Sequence, residues 1–372
     1  MNMNKTWTVS ANNPVNYSVE FVNGVFDPDN LTLVGGDRSA RRLIVTDETV
    51  GKEYGGNIQK YANLNMREHE TLVIPHGEEN KGWNAVEMVL KAMKDFQLDR
   101  RREPVIAVGG GVLTDIVGFA CSIYRRNTPF IRVPTTLIGI VDASVGIKTG
   151  VNHHAGKNKI GTYFAATRSL LDPKFLSTLD QRHVSNGMAE ILKIGLIKDP
   201  ILFELLEHNG QDVLQSKFQH GTAVESDILS RAIEGMLAEL QPNLWEHNLE
   251  RLVDYGHTFS PTIEMRALPE LLHGEAVCLD MALTTAIAVR RKMVTEKDAD
   301  RVFSTMKSLD LPTNHASMSE ANLLDALDDT TRHRDGLQRV PLPIGIGHAT
   351  FVNDLTVDDI RLGLNILNSL VN

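Results

Sequence analysis

Between residues 31 and 136 short β-rich runs take turns with helical patterns, and that alternation leaves few folds open to the chain. The runs are LTLV (31–34), RRLIVTD (41–47), TLVIPHG (71–77), PVIAVGGG (104–111) and FIRVPTT (130–136). Among them lies NAVEMVLKAMKDFQL (84–98), whose apolar residues recur about every 3.6 positions and predict a helix. Strand and helix in alternation read as βαβ units, hence a parallel sheet with helices on its faces. From about residue 180 the β-rich runs thin out, and SNGMAEILKIGLIK, PILFELLEHNG and GEAVCLDMALTTAIAVRRKM predict a mostly helical second half. Asp199-Pro200 marks one helix boundary and Asn209-Gly210 a C-cap. A chain of 372 residues also exceeds the ~250–300 at which a single core stops growing. The expectation is therefore an α/β layer over residues 1–180, a helical domain over 181–372, and a site between them.

Net charge is −9, with Lys and Arg scattered rather than massed, which excludes a dedicated nucleic-acid binder. Cys121 and Cys278, far apart and flanked by apolar residues, read as core thiols rather than as a disulfide or a thiolate metal site. The opening MNMNKTWTVSANNPVNYSVE has no apolar core of signal-peptide length, and no run approaches ~18 apolar residues. A cytoplasmic address without a membrane is expected.

Gly109, Gly110 and Gly111 follow the run PVIAV and precede LTDIVGFACSIY, giving strand, glycine turn and helix. Glycines there permit positive φ and close approach of the backbone, while a helix N-terminus offers free N–H groups to a pyrophosphate. The same residues also describe a tight turn with no ligand, and the pattern is not GxGxxG. Asp115 lies one helical turn further on. Thr135 and Thr136 end the next strand, at the same edge of the sheet.

DASVGIKTGVNHHAGKNKIGTY (142–163) is loop-like and presents Asp142, Lys148, Asn152, Lys157, Asn158 and Lys159 among glycines; a solvated surface loop is the plain alternative. Glu190 and Lys193 share one helix face among apolar neighbours, where a carboxylate needs a cation or a metal as partner. His257 in DYGHTFSP and His273 in LLHGEAV complete a possible two-histidine, one-carboxylate set. A lone histidine in such a setting is more often a hydrogen-bonded core residue, and the wide separation of the three in sequence does not decide between the readings.

Taken together, GGGVLTDIVGFACSIYRR, IRVPTTLIGIVDASVGIKTGVNHHAGKNKIGTY, NGMAEILKIGLIKD, DYGHTF and LLHGEAV closely resemble the dehydroquinate synthase-like sugar phosphate cyclases, in colinear order over roughly residues 40 to 355. The resemblance implies an N-terminal Rossmann-like NAD-binding domain, a mainly α-helical metal-binding domain, a homodimer, and a phosphorylated sugar as substrate. It implies transient oxidation by NAD, elimination of phosphate and intramolecular aldol closure. Carried over by position, Glu190, His257 and His273 would bind zinc or cobalt. Asp47, Glu78, Lys81, the 109–111 turn, Asp115, Thr135, Thr136, Lys157 and Thr178 would line NAD. Arg126 and Asn158 would contact substrate, and Asp142, Lys148, Lys193, Asp254 and His333 would act at the reacting centre.

The departures are specific. Dehydroquinate synthases read NxGHxxGH where this chain has DYGHTFSP, so Asp254 replaces Asn and Pro261 replaces His. His333 stands where a substrate-binding Lys is usual. These changes look like the branch that cyclises sedoheptulose 7-phosphate and disfavour dehydroquinate formation. A metal-dependent alcohol or glycerol dehydrogenase is the rival from another class, disfavoured by the cations Arg126, Lys148, Lys157 and Lys193.

Overall fold

The computed structural model describes residues 6–154 and 156–370, so the first five residues of the N-terminal stretch, and Ala155 within the 142–163 segment, lie outside it. Ten strands are present among the described residues: β1 (Ser18–Phe21), β2 (Arg41–Asp47), β3 (Glu68–Ile74), β4 (Val105–Gly109), β5 (Phe130–Pro134), β6 (Lys148–His153), β7 (Gly156–Tyr163), β8 (Arg168–Leu171), β9 (Val340–Pro343) and β10 (Ala349–Val352). The α-helices are α1 (Glu48–Asn65), α2 (Trp83–Asp95), α3 (Gly111–Ile123), α4 (Gln181–Ile197), α5 (Pro200–Ser216), α6 (Ala223–Leu240), α7 (Ser260–Arg266), α8 (His273–Arg290), α9 (Glu296–Ser308), α10 (Glu320–His333) and α11 (Val357–Leu370).

Six parallel strands form one sheet in the order β1-β8-β5-β4-β2-β3. Their side chains alternate between two apolar layers. Leu43, Val45, Val105 and Ala107 pack with α2 and α3, while Ile44, Ile106 and Val108 pack on the other face with Ile58, Tyr61 and Ala62 of α1. Burial on both faces is why β2, β4 and β5 read as apolar runs, whereas β3 at the sheet edge is largely exposed. After β2 the chain moves outward to β3; after β4 it moves the other way to β5. The crevice at the carboxyl ends of β2 and β4 is thus a topological switch point, where open α/β sheets bind ligands.

The second half is a helical assembly around α4 and α8, both almost wholly buried. Asp199 caps α5 by accepting from the N–H groups of Ile201 and Leu202, and Pro200 opens that helix as the sequence predicts.

Three local expectations are corrected. LTLV is a 3-10 turn (Thr32–Val34), because Gly35 at φ 65° closes it before an extended run can form. Asn209-Gly210 does not end α5, which runs on to Ser216 and is capped by Lys217 in the left-handed region; Gly210 lies where a Cβ would stand 2.7 Å from Leu309 Cδ2, so it serves close packing. The 142–163 segment is not a loop either. It forms a π-helical turn (Gly139–Ala143) followed by the antiparallel hairpin β6–β7, whose buried Thr149 and Val151 pack on α3.

Candidate active site

A cleft of about 670 Å³ opens where the carboxyl edge of the sheet meets α4, α7 and α8. Its sheet side is the glycine turn. None of Gly109, Gly110 and Gly111 has positive φ, so the expected left-handed conformation is absent. They are glycine for space: a Cβ would meet Leu113 Cβ at 2.9 Å, Thr136 Cγ2 at 3.2 Å and Ala143 Cβ at 3.1 Å, respectively. Gly110 is the N-cap of α3 and offers no side-chain cap, which leaves the first N–H groups of that helix free for an anion. Asp47, at the end of β2, caps α1 through Val50 N at 2.8 Å; burial raises its carboxyl above the ordinary value. This backbone cradle, next to an acidic strand end, fits a dinucleotide.

Lys81 is buried, and its ammonium donates to Asp115 and to Asn158 Oδ1, each at 2.7 Å. Burial opposes its charge, but Asp115 and Glu78 outweigh it and hold the pKa above the ordinary value. Glu78 accepts from Asn152 at 2.9 Å, fixing the loop before α2 to the hairpin.

On the helical side Glu190 from α4 meets His257 and His273. His257 Nε2 and His273 Nε2 lie 3.7 and 3.5 Å from Glu190 Oε1, and one ligand atom from each of the three residues falls within 4.8 Å of the others. Both imidazoles are tied at Nδ1: His257 to the Tyr255 carbonyl at 3.1 Å, His273 to Glu264 at 2.8 Å. Each Nε2 is thereby turned inward, the arrangement that orients metal-bound histidines. Glu190 is buried, and although the Lys193 ammonium abuts Oε2, neither oxygen accepts a hydrogen bond of good geometry among the described residues. An unsatisfied buried carboxylate facing two oriented imidazoles fits a divalent ion of the zinc type. Burial opposes ionisation of Glu190, but Lys193 and the histidines hold its pKa well below the carboxylate range. Burial and the nearby Glu190 push Asp142 the other way, upward.

The cleft between these two walls carries a charge network that the sequence did not disclose. Arg251 clamps Asp254, its Nε 3.0 Å from Oδ2, and also contacts Glu246; Arg334 approaches Asp254 at 3.6 Å. Burial opposes ionisation of Asp254, but Arg251, Lys148 and Arg334 keep it charged. Lys148 reaches Glu246, and its own pKa falls to about 8 through enclosure in the cleft and the neighbouring Arg251, although the side chain keeps 58% of its surface open to the cleft.

Of the residues singled out in the sequence, Asp47, Glu78, Lys81, Gly110, Gly111, Asp115, Thr135, Thr136, Asp142, Lys148, Lys157, Asn158, Lys193, Asp254, His257 and His273 line this cleft, with Gly109 and Glu190 directly behind its wall. Lys157 sits on the metal side, paired with Glu264 and 3.1 Å from His273 Nδ1. Three of the residues given a binding or catalytic role by the resemblance do not reach the cleft. His333 ends α10 on its solvent side, 59% exposed and 2.6 Å from Lys159. Thr178 is exposed and bonds the Tyr54 hydroxyl at 2.8 Å. Arg126 is exposed beyond the C-terminal end of α3, at the opposite end of that helix from the glycine turn. Sequence reasoning missed Glu264, Glu246, Arg251 and Arg334. Only Glu264 carried a signal, a carboxylate beside Ile263 at the start of an apolar helical pattern.

The 3-dehydroquinate synthase N-terminal family model matches residues 71–186 and the C-terminal one residues 187–333. The chain belongs to the 3-dehydroquinate synthase family. Within it, the chain is 50% identical to the 2-epi-5-epi-valiolone synthase of Streptomyces albus, over 98% of its own length and 91% of that protein's. It is 51% identical to the enzyme of that name from Actinoplanes sp., covering 96% and 92%. The solved 2-epi-5-epi-valiolone synthase of Streptomyces hygroscopicus subsp. jinggangensis 5008, with NAD+ and Zn2+ bound, superposes with a TM-score of 0.94 at 49% identity, covering 98% of this chain and 100% of that one. Among the described residues, no helix of this family member is long and apolar enough to cross a membrane.

Proposed function

We propose that the chain cyclises sedoheptulose 7-phosphate to 2-epi-5-epi-valiolone and inorganic phosphate, as a carbon–oxygen lyase acting in the cytoplasm. The observation that carries this reading is half-identity to 2-epi-5-epi-valiolone synthases along the whole chain. The cleft supports it with the cations Lys148, Lys193 and Arg251 next to the candidate metal trio. The sum of the reaction is loss of phosphoric acid with no net oxidation, so a nicotinamide cofactor ends as it began.

When bound, NAD+ would supply a reversible hydride acceptor and Zn2+ or Co2+ the polarisation of a substrate hydroxyl. Glu190, His257 and His273 would hold the ion. Asp47, the 109–111 turn, Asp115 and Thr136 would hold the dinucleotide. Lys148, Lys193 and Asn158 would grip the phosphate and fix the angle at which it leaves, with a phosphate oxygen itself taking the neighbouring proton, so that no strong protein base is required. Asp142, whose pKa burial and Glu190 raise, would make a hydrogen bond to the substrate from the cleft wall. Asp254, kept charged between Arg251 and Arg334, would read sugar hydroxyls where a dehydroquinate synthase reads a carboxylate. Arg126 could meet a phosphate only in the cleft of a second copy, which joins its expected role to a homodimer. The working division into domains is 1–180 and 181–372.

The test is incubation of zinc-loaded protein with NAD+ and sedoheptulose 7-phosphate, with the dehydroquinate precursor in parallel, following phosphate and product by NMR. Phosphate release from the heptulose without NADH accumulation is expected, and the spectrum identifies the epimer. Turnover of the dehydroquinate precursor alone would overturn the substrate. Net NADH without phosphate release would identify an alcohol dehydrogenase instead.

A further inference from the structure

Glu246 occupies the place an anion would take. It follows a 3-10 turn (Gln241–Asn243) in a loop closed by Asn243, whose amide donates to the Asn248 carbonyl at 2.6 Å and whose Oδ1 accepts from Asn248 N at 3.0 Å. The backbone at Glu246 is left-handed, φ 57°, a conformation disfavoured for a residue with a Cβ. That turn sends the carboxylate inward while Trp245 and His247 on either side stay exposed. Oε1 contacts both the Lys148 ammonium and the Arg251 guanidinium, and Oε2 accepts from the Tyr163 hydroxyl at 3.1 Å. Oε1 is buried yet makes no hydrogen bond of good geometry, so its hold on the two cations is ionic rather than directional.

We propose that Glu246 is a specificity-determining residue for the phosphate group: its carboxylate is the resident counter-ion of Lys148 and Arg251, and a dianionic phosphate monoester displaces it where a neutral sugar or a monoanion does not. The proposal rests on the reading that substrate phosphate binds at Lys148. A carboxylate brings the pair one negative charge; a phosphate monoester near neutral pH brings close to two, with three acceptor oxygens. A monoanion only exchanges like for like and must also compete with a tethered rival at high local concentration. The same tether favours product release, since Glu246 stands ready to take back the cations as inorganic phosphate departs.

The test is calorimetric titration of inorganic phosphate, and separately of the monoanion dimethyl phosphate, into protein loaded with Zn2+ and NAD+. Wild type, Glu246→Gln and Lys148→Met are compared. Glu246→Gln should bind phosphate about tenfold more tightly than wild type and acquire measurable affinity for dimethyl phosphate. Phosphate binding by Glu246→Gln equal to or weaker than wild type, at an unchanged melting temperature, overturns the proposal. If that variant does not fold, Glu246→Asp, which keeps the charge and suits the backbone but falls short by one methylene, should also bind phosphate more tightly than wild type; no gain overturns the proposal equally. Lys148→Met that binds phosphate as well as wild type overturns the placement of phosphate at Lys148, whatever Glu246 does.

Discussion

Glu264 accepts from His273 Nδ1 at 2.8 Å, and that contact leaves Nε2 of the same ring 3.5 Å from Glu190 Oε1. Glu264 therefore sets which nitrogen a metal meets. It is itself held by Lys157 of the β6–β7 hairpin. Glu264→Gln should lower zinc affinity by about 10- to 100-fold, the usual cost of losing an outer carboxylate. Competition with a chromophoric chelator measures this, and unchanged affinity would show the ring is oriented by other contacts.

Lys148, pushed down to about 8, loses its charge as pH rises through that value. If the ammonium holds phosphate, kcat/KM for the phosphorylated substrate should fall along a limb centred near pH 8. Lys148→Arg, which stays charged, should move that limb upward. A profile flat to pH 9.5 would remove Lys148 from phosphate binding.

Gly274 follows His273 and packs against α4 without a gap. Its N–H donates to Asn186 Oδ1 at 2.6 Å, and a Cβ would stand 1.9 Å from the Asn186 carbonyl oxygen. Backbone cannot yield as a side chain tip can, so Gly274→Ala must push α8 from α4. A loss of about 3 kcal/mol or more is expected in chemical denaturation. Zinc content should fall as well, because the same two helices carry His273 and Glu190.

Asp280 is fully buried in α8 and accepts from the N–H groups of Phe259 and Ser260, while its Oδ1 has no partner among the described residues. Burial raises its pKa to about 6 from 3.8. The folded state therefore keeps a proton that the unfolded chain gives up near 3.8; the stability it adds is full below that pH and is lost as pH rises through 6, on the order of 3 kcal/mol. Asp280→Asn should raise the melting temperature at pH 8 relative to wild type and have less effect at pH 5. Equal shifts at both values would show that Asp280 does not change its protonation between pH 5 and pH 8.

Of the six parallel strands, β2, β4 and β5 were legible because both of their faces are buried, which writes LIV, VIAV and FIRV as largely apolar runs. β3 showed through its apolar end TLVI, while β1 and β8, four residues each, gave no run long enough to read. The hairpin was not legible either. GKNKIGTY is polar and glycine-rich, and it is held by partners distant in sequence, such as Lys81, whose ammonium donates to Asn158 Oδ1 at 2.7 Å. Glu190 could be picked out because a lone carboxylate among apolar neighbours needs explaining. Arg334 could not be told from His333: the two are adjacent at a helix end, and only the packed structure buries one against Asp254 and leaves the other in solvent. Arg251 and Glu246 fall in a stretch with no periodicity, where spacing carries no information about facing.

The β6–β7 hairpin belongs to the sheet half by chain order, yet its lysines pair with carboxylates of the helical half: Lys148 with Glu246, Lys157 with Glu264 and Lys159 with Asp329. Charge thus joins the hairpin to the helical half at three places, and salt should loosen the open Lys159–Asp329 pair first while leaving the buried Lys157–Glu264 pair closed, so that the hairpin would part from the helices at one end before the other.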